Sequence, residues 1–485
     1  MKNKSIKILD CTLRDGGYYN NWDFSNQLAN EHLKALSLCS IDIVEIGLRS
    51  NINNRYKGPF AFSSDSFLEK LKVPENLLLS VLVNCKELGS TEEVYENLNL
   101  LFPGKKINSK IDIVRLATTE KNIKSAIEAG KILKDKGYQV CLNIMQGASL
   151  THKSILEITK SLKNSFFSSI YIADSTGSMD SIEYNNKLKL IIEETSAEIG
   201  IHAHNNLGKA LDNTLKSIDI GCTWLDATIL GMGRGPGNTD LEELIIYLTN
   251  KGKLKESNIL PLINHSEKWF CKLKEQYKWG TNRFYFLSGL YKIHPSYIQE
   301  MISDSKYSNE EIIGAIEYLK TDSQKNFNSN KLTDARGFFK NAPKGKDDPK
   351  EFINGKEVLF IGNGPSIKTH KDEIENLIKT KDLYVICTNV SEIIDPILIN
   401  ARIVCHPMRL LADYEILNSL NQKIIAPFSM VPKKLQQKIN IDKVYDYGIK
   451  ISRDTAEFNG LKNYCIIPYP IALAYGLAIL SRSSV

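Results

Sequence analysis

The chain predicts an α/β protein: a (β/α)8 barrel with a helical extension, followed by a second, smaller α/β domain. Two observations carry the first part. Short apolar runs at 6–11, 41–46, 77–83, 111–116, 139–144, 169–173, 199–203 and 223–229 recur about every 30 residues. Between them lie amphipathic stretches with helical spacing, such as 26–39, 121–136 and 206–220. Eight strand-then-helix units favour a closed ring, and an open doubly wound sheet with the same alternation is the competing architecture. A third observation marks the boundary: residues 326–355 are polar and rich in Lys, Asn, Asp, Gly and Pro, after which strand-like runs begin again.

Length and composition bound the function. At 485 residues the chain exceeds one ordinary domain, and its 42% hydrophobic content is enough for large cores. The net charge of +6 is small for this length and its Lys and Glu are interspersed, which argues against a nucleic-acid-binding stripe. No run of about 18 apolar residues predicts a membrane span. The Met1–Lys7 segment lacks a signal-peptide core, and nine scattered cysteines without a Cys-x-x-Cys pair read as reduced thiols. A cytoplasmic homo-oligomer is expected.

In a barrel the chemistry sits where strands end and loops begin. Arg14 and Asp15 follow the first strand, Glu45 ends the second, and Arg115 lies near the end of the fourth. Asn143 is on the fifth, Thr176 follows the sixth, and His202 and His204 end the seventh. Residues two apart on a strand share a face, so both imidazoles can reach one ion, with Asp15 adding a hard oxygen. Such a set leaves coordination positions open for substrate. After the eighth strand, Gly231-Met232-Gly233-Arg234-Gly235-Pro236-Gly237-Asn238 reads as a loop that lets backbone N–H groups approach an anion, with a helix over 239–248 behind it. Each feature also has a plainer reading. The His pair can serve hydrogen bonding, Asp15 can shape its turn, Glu45 can pair with Arg49, and glycines can serve tight turns. Their convergence on one barrel face favours a site.

These motifs resemble the metal-dependent barrel lyases and synthases that include 4-hydroxy-2-oxovalerate aldolase, HMG-CoA lyase and 2-isopropylmalate synthase. Thr12-Leu13-Arg14-Asp15-Gly16 is similar to the family's first-strand signature, and His202-Ala203-His204-Asn205 to its metal motif. Gly233-Arg234-Gly235-Pro236-Gly237-Asn238-Thr239 with Leu241-Glu242 is most similar to the aldolase branch. The resemblance implies a divalent ion, Mn²⁺ or Mg²⁺, on Asp15, His202 and His204. It implies carbon–carbon cleavage or formation through the enolate of a 2-oxo acid such as pyruvate, with an aldehyde as partner. Arg14 would carry positive charge to the oxyanion. Glu45, Arg115, Asn143, Thr176, Asn205, Gly233, Gly235 and Asn238 would line the substrate. One position departs: where the aldolase branch has a histidine three residues after the metal-binding aspartate, this chain has Tyr18. A tyrosine, ordinarily of pKa about 10, is a poor base at neutral pH, so Tyr18 reads as a catalytic phenol or, preferably, an aromatic wall. The alternatives are a Claisen-type acyltransferase using acetyl-CoA and a barrel that binds ligand without turnover.

The barrel is expected over 1–250, a helical extension over 251–325 with helices at 260–277, 295–303 and 309–319, the linker over 326–355, and a Rossmann-like domain over 356–485. In the last, strands are expected at 358–361, 383–387, 403–405, 424–426 and 466–468, with a helix over 371–379. The first opens into Gly362-Asn363-Gly364-Pro365-Ser366, a turn suited to phosphate, although a full Gly-x-Gly-x-x-Gly and a Walker lysine are missing. This half resembles the Rossmann-like domain of 6-hydroxymethylpterin diphosphokinase-like proteins, which implies a nucleotide or sugar phosphate at Gly362, Asn363, Gly364 and Ser366. No strand follows the helix-like run 472–480, so that sheet reads as incomplete.

Overall fold

The computed structural model describes residues 5–303, 309–321 and 342–483, apart from 40, 53–54, 164–165, 256–257, 354, 432, 453–457 and 469–470. Most of the expected linker, 326–341, lies outside the described residues. The chain forms two compact units, one of Met1–Asp304 with Gln324–Phe327, the other of Ser305–Ser323 with Asn328–Val485. The helix Asn309–Thr321, read from sequence as part of the extension, clusters with the second unit.

The first unit is a closed barrel of eight parallel strands in sequential order. They are β1 Lys7–Asp10, β2 Ile43–Leu48, β3 Leu78–Asn84, β4 Ile113–Thr118, β5 Gln139–Ile144, β6 Ser169–Asp174, β7 Glu198–Ala203 and β8 Trp224–Ala227. β1 pairs with both β2 and β8, which settles closure against the open sheet. The strands are apolar on both faces because helices cover the outside and side chains fill the inside. The two-residue period sorts the interior into layers. Leu9, Ile43, Ile113, Cys141, Tyr171 and Trp224 pack together as an apolar floor. One step further along, the same strands place Cys11, Glu45, Arg115, Asn143 and Asp226, and β7 places His202. Gly200 is required beneath that layer, since a Cβ there would run into the Tyr171 ring.

The extension is helical as expected, with one difference. The run 260–277 contains a π-helical segment, Ser266–Phe270, between α-helices Leu260–His265 and Cys271–Tyr277. Trp279 Nε1 donates to the Leu230 carbonyl at 3.0 Å, and Gln299 Oε1 accepts from the Gly235 amide at 2.9 Å. The extension therefore braces the loop after β8.

The second unit holds a five-stranded parallel sheet: β9 Val358–Ile361, β10 Tyr384–Thr388, β11 Ala401–Ile403, β12 Lys423–Ala426 and β13 Val444–Asp446. Tyr384 and Ile386 pack on one face with Tyr475 and Ile479 of the helix Ala472–Ser483, and Val385 and Cys387 pack on the other with Ile361 and Ile367. Two sequence readings are corrected here. The strand expected at 466–468 belongs to a separate three-stranded sheet, β14 Gly448–Ile451, β15 Asn459–Gly460 and β16 Tyr464–Ile467. The fifth strand of the main sheet is instead β13, whose three residues are too short for a periodic signal. The main sheet runs in sequential order, without the reversal that opens a ligand crevice in dinucleotide-binding sheets.

Candidate active site

The short helix Thr12–Asp15 directly after β1 carries Arg14 and Asp15 inward, both buried. His202 lies near the end of β7 and His204 just beyond it. Asp15, His202 and His204 present ligand atoms that all lie within 4.8 Å of one another. His202 Nε2 is 3.8 Å from Asp15 Oδ2. Its other nitrogen, Nδ1, lies 2.9 Å from Asp226 Oδ2, which fixes the ring and leaves Nε2 toward Asp15. His204 keeps a buried Nδ1 with no hydrogen-bond partner. A carboxylate and two imidazoles, one with an orphaned buried nitrogen, form a donor set that fits a divalent cation.

The charges around this trio are arranged in a chain. Arg14 donates through Nε to Glu45 Oε1 at 2.5 Å and through Nη1 to Asp15 Oδ1 at 2.5 Å. Arg115 spans from Glu45 Oε2 at 3.0 Å to Asp226 Oδ2 at 2.6 Å. Burial would raise the Asp15 carboxyl, but Arg14, His204, His202 and Arg234 outweigh it and hold the carboxyl well below the usual range. Burial likewise pushes against Asp226, and Arg115 with His202 overcomes it, so this carboxyl is lowered too. Burial drives the His204 imidazole well below its ordinary value, so it stands neutral and able to donate a lone pair.

The trio opens into a cavity of about 210 Å³ whose wall includes Arg14, Tyr18, Asn143 and Arg234. Arg14 Nη2 and Asn143 Oδ1 are buried without partners. Tyr18 is 39% exposed, its ring edge-on to Trp22 at 4.8 Å with the Arg234 guanidinium 5.5 Å above it.

Other expected site residues fall outside the cavity wall. Glu45 and Arg115 are wholly buried beneath it, paired to each other and to Arg14 and Asp226. Arg49 pairs with Asp65, not Glu45. Thr176 bonds to Asp174 and Ser178, and Asn205 accepts the Ala210 amide. Three amides of the glycine loop are taken up within the protein. The amides of Gly235, Gly237 and Asn238 bond to Gln299, Arg234 and Gly231, and Asp240 caps the helix Leu241–Asn250. Its tight turns bring Asn238 Nδ2 to Asp15 Oδ2 at 2.5 Å and allow the close approach at Gly233, where a Cβ would press on both side chains. Sequence reasoning missed Asp226 and Arg234. An acid inside the apolar run Trp224-Leu225-Asp226-Ala227 was the available signal for the first. Gly362, Asn363 and Gly364 sit in the loop after β9 and Ser366 opens the short helix Ser366–Thr369, with Asn363, Gly364 and Ser366 exposed.

A carboxylate and two imidazoles gathered at the carboxyl ends of its strands make this a (β/α)8 barrel with a candidate metal site. Comparison with known proteins narrows it. Residues 5–268 match the HMGL-like family, and the chain belongs to that family. It is 30% identical over 254 residues to 4-hydroxy-2-oxovalerate aldolase of Carboxydothermus hydrogenoformans, a match covering 51% of this chain and 72% of that enzyme. It is 24% identical to oxaloacetate decarboxylase of Mycobacterium tuberculosis, over 51% of this chain and 71% of that one. Among solved structures, the N-terminal domain of a Bacteroides vulgatus protein assigned as an aldolase aligns with a TM-score of 0.56 and 33% identity, covering 62% of this chain and 98% of that domain. The chain is a carbon–carbon lyase of the aldolase type. No helix among the described residues is long and apolar enough to cross a membrane.

Proposed function

We propose that the barrel is a pyruvate-type aldolase in which Asp15, His202 and His204 hold Mn²⁺ or Mg²⁺. The observation that carries this reading is the close grouping of those three donors at the floor of a cavity. A bound divalent ion would polarise the 2-oxo group of the substrate. Arg14, fixed by Glu45 and Asp15, keeps Nη2 free for the oxygen on which negative charge grows as the carbon–carbon bond breaks. Asn143 offers an amide to the same cavity, and Asn238 holds Asp15 in place. Tyr18 forms the aromatic wall beside these groups. None of the nine cysteines is joined in a disulfide, in line with a cytoplasmic setting.

The test is metal-dependent exchange of the pyruvate methyl protons for deuterium, followed by oxaloacetate decarboxylation. Exchange that needs Mn²⁺ or Mg²⁺ supports the aldolase. Acetyl-CoA consumption with a 2-oxo acid and no exchange of free pyruvate contradicts it in favour of a Claisen-type enzyme. For the second unit we infer a nucleotide or sugar phosphate at Gly362, Asn363, Gly364 and Ser366, in line with the pterin diphosphokinase-like resemblance. The support is that Asn363, Gly364 and Ser366 are exposed in and beside the turn at the carboxyl end of β9.

A further inference from the structure

The cavity wall is more basic than a neutral aldehyde requires. Its cations are Arg14, Arg49, Arg55, Lys57 and Arg234, and its carboxylates are Asp15 and Glu87. Arg14 is engaged by Asp15 and Glu45, and Arg49 by Asp65 and the carbonyls of Leu101 and Ser63. Glu87 accepts the Ser50 hydroxyl at 2.6 Å. Three cations are left with no carboxylate partner among the described residues. Arg234 donates only to the Ser175 carbonyl at 3.1 Å, and its buried Nε has no partner. Lys57 donates to the Ile52 carbonyl at 3.0 Å, and Arg55 is exposed.

Topology explains how they converge. Arg55 and Lys57 lie in the loop after β2, and Arg234 lies in the loop after β8. Both strands pair with β1, so the three cations flank the helix carrying Arg14 and Asp15. A 2-oxo acid brings one carboxylate, and the proposed divalent ion with Arg14 already answers that charge. Arg55, Lys57 and Arg234 then face the rest of the cavity, and none of them forms an ion pair with a carboxylate among the described residues. Clustered cations in a partly closed cleft raise the local concentration of anionic ligands.

We propose that the acceptor aldehyde of this enzyme carries an anionic group, phosphate or carboxylate, bound by Arg55, Lys57 and Arg234. This rests on the aldolase reading and names its second substrate class. In the condensing direction the pyruvate C3–H bond breaks, C3 bonds to the aldehyde carbon, and the aldehyde oxygen ends as a hydroxyl after taking one proton. No further reactant is required.

The experiment uses the full chain with Mn²⁺ and pyruvate, comparing glyceraldehyde 3-phosphate with glyceraldehyde and succinic semialdehyde with butanal. Condensation favouring either charged member at least tenfold in kcat/KM supports the proposal, and which pair shows it separates phosphate from carboxylate. That preference falls as salt rises, because Arg55 is exposed and screened. The double variant Arg55→Ala, Lys57→Ala should lose at least tenfold of the charged-to-neutral ratio, and the charge-keeping pair Arg55→Lys, Lys57→Arg should retain most of it. Equal use of charged and neutral aldehydes, with pyruvate exchange intact, overturns the proposal alone. Absence of metal-dependent pyruvate exchange overturns it together with the aldolase reading.

Discussion

The two units both alternate strands and helices, yet only one gathers a charged interior. In the barrel, closure brings eight strand ends around one axis, so Asp15, Glu45, Arg115, His202 and Asp226 from five strands meet within a single network. In the second unit the strands lie in a row, β13-β12-β11-β10-β9, and their ends are spread along an edge. Its wholly buried cation, Arg402, bonds to the carbonyls of Asn389 and Ser391 and to Gln422, with no ion pair to a carboxylate among the described residues. Equivalent local patterns thus group their charges where topology makes strand ends converge.

The comparison predicts a gradient of effects. The largest short of ligand loss is at Arg14. Arg14→Ala removes the free Nη2 and should lower the rate of pyruvate exchange by about 10²–10³, measured by deuterium incorporation with metal saturating. An effect under tenfold would place oxyanion stabilisation elsewhere. Next comes Asp226→Asn, which loosens both His202 and Arg115 while leaving the proposed ligands present. Metal affinity should fall about 10–100-fold by titration calorimetry. Unchanged affinity would mean His202 needs no such brace.

The smallest effect concerns stability at the loop after β8. Glu242 is 8% exposed and its carboxylate accepts the Leu230 amide at 3.0 Å. Burial first, and the nearby Asp240 second, raise its carboxyl to about 8. The folded state therefore holds a proton that the unfolded chain has already released, and this contribution to stability is lost as pH rises from about 4.5 toward 8. Glu242→Gln should leave the melting temperature nearly unchanged at pH 5 and raise it by a few degrees at pH 8. Equal shifts at both values would show that Glu242 is ionised in the fold.

Much of this was legible in the sequence. The eight barrel strands show as apolar runs because a barrel strand is buried on both faces. That His202 and His204 face the same side was legible because residues two apart on a strand share a face, and the nearness of Asp15 because it follows the first strand. The roles beneath them were not. Arg115 and Glu45 look like substrate ligands in a sequence, since a charge near a strand end reads as exposed to the cavity. Only the interior layering shows them paired below it. The glycine loop was legible in part: glycine density marks close approach, and at Gly233 the approaching groups are Asn238 and Asp15. In the second unit, β13, β14 and β15 escaped because they are short and interrupted by polar residues such as Asp446, Lys450 and Asn459.

The central claim is that Asp15, His202 and His204 together grip one divalent cation, and Mn²⁺ titration followed by electron paramagnetic resonance tests it most directly. The account predicts one tight Mn²⁺ per chain, lost in both His202→Ala and His204→Ala, while circular dichroism shows the barrel still folded. Tight Mn²⁺ that persists in folded His204→Ala protein, or none in the unaltered chain, would contradict it.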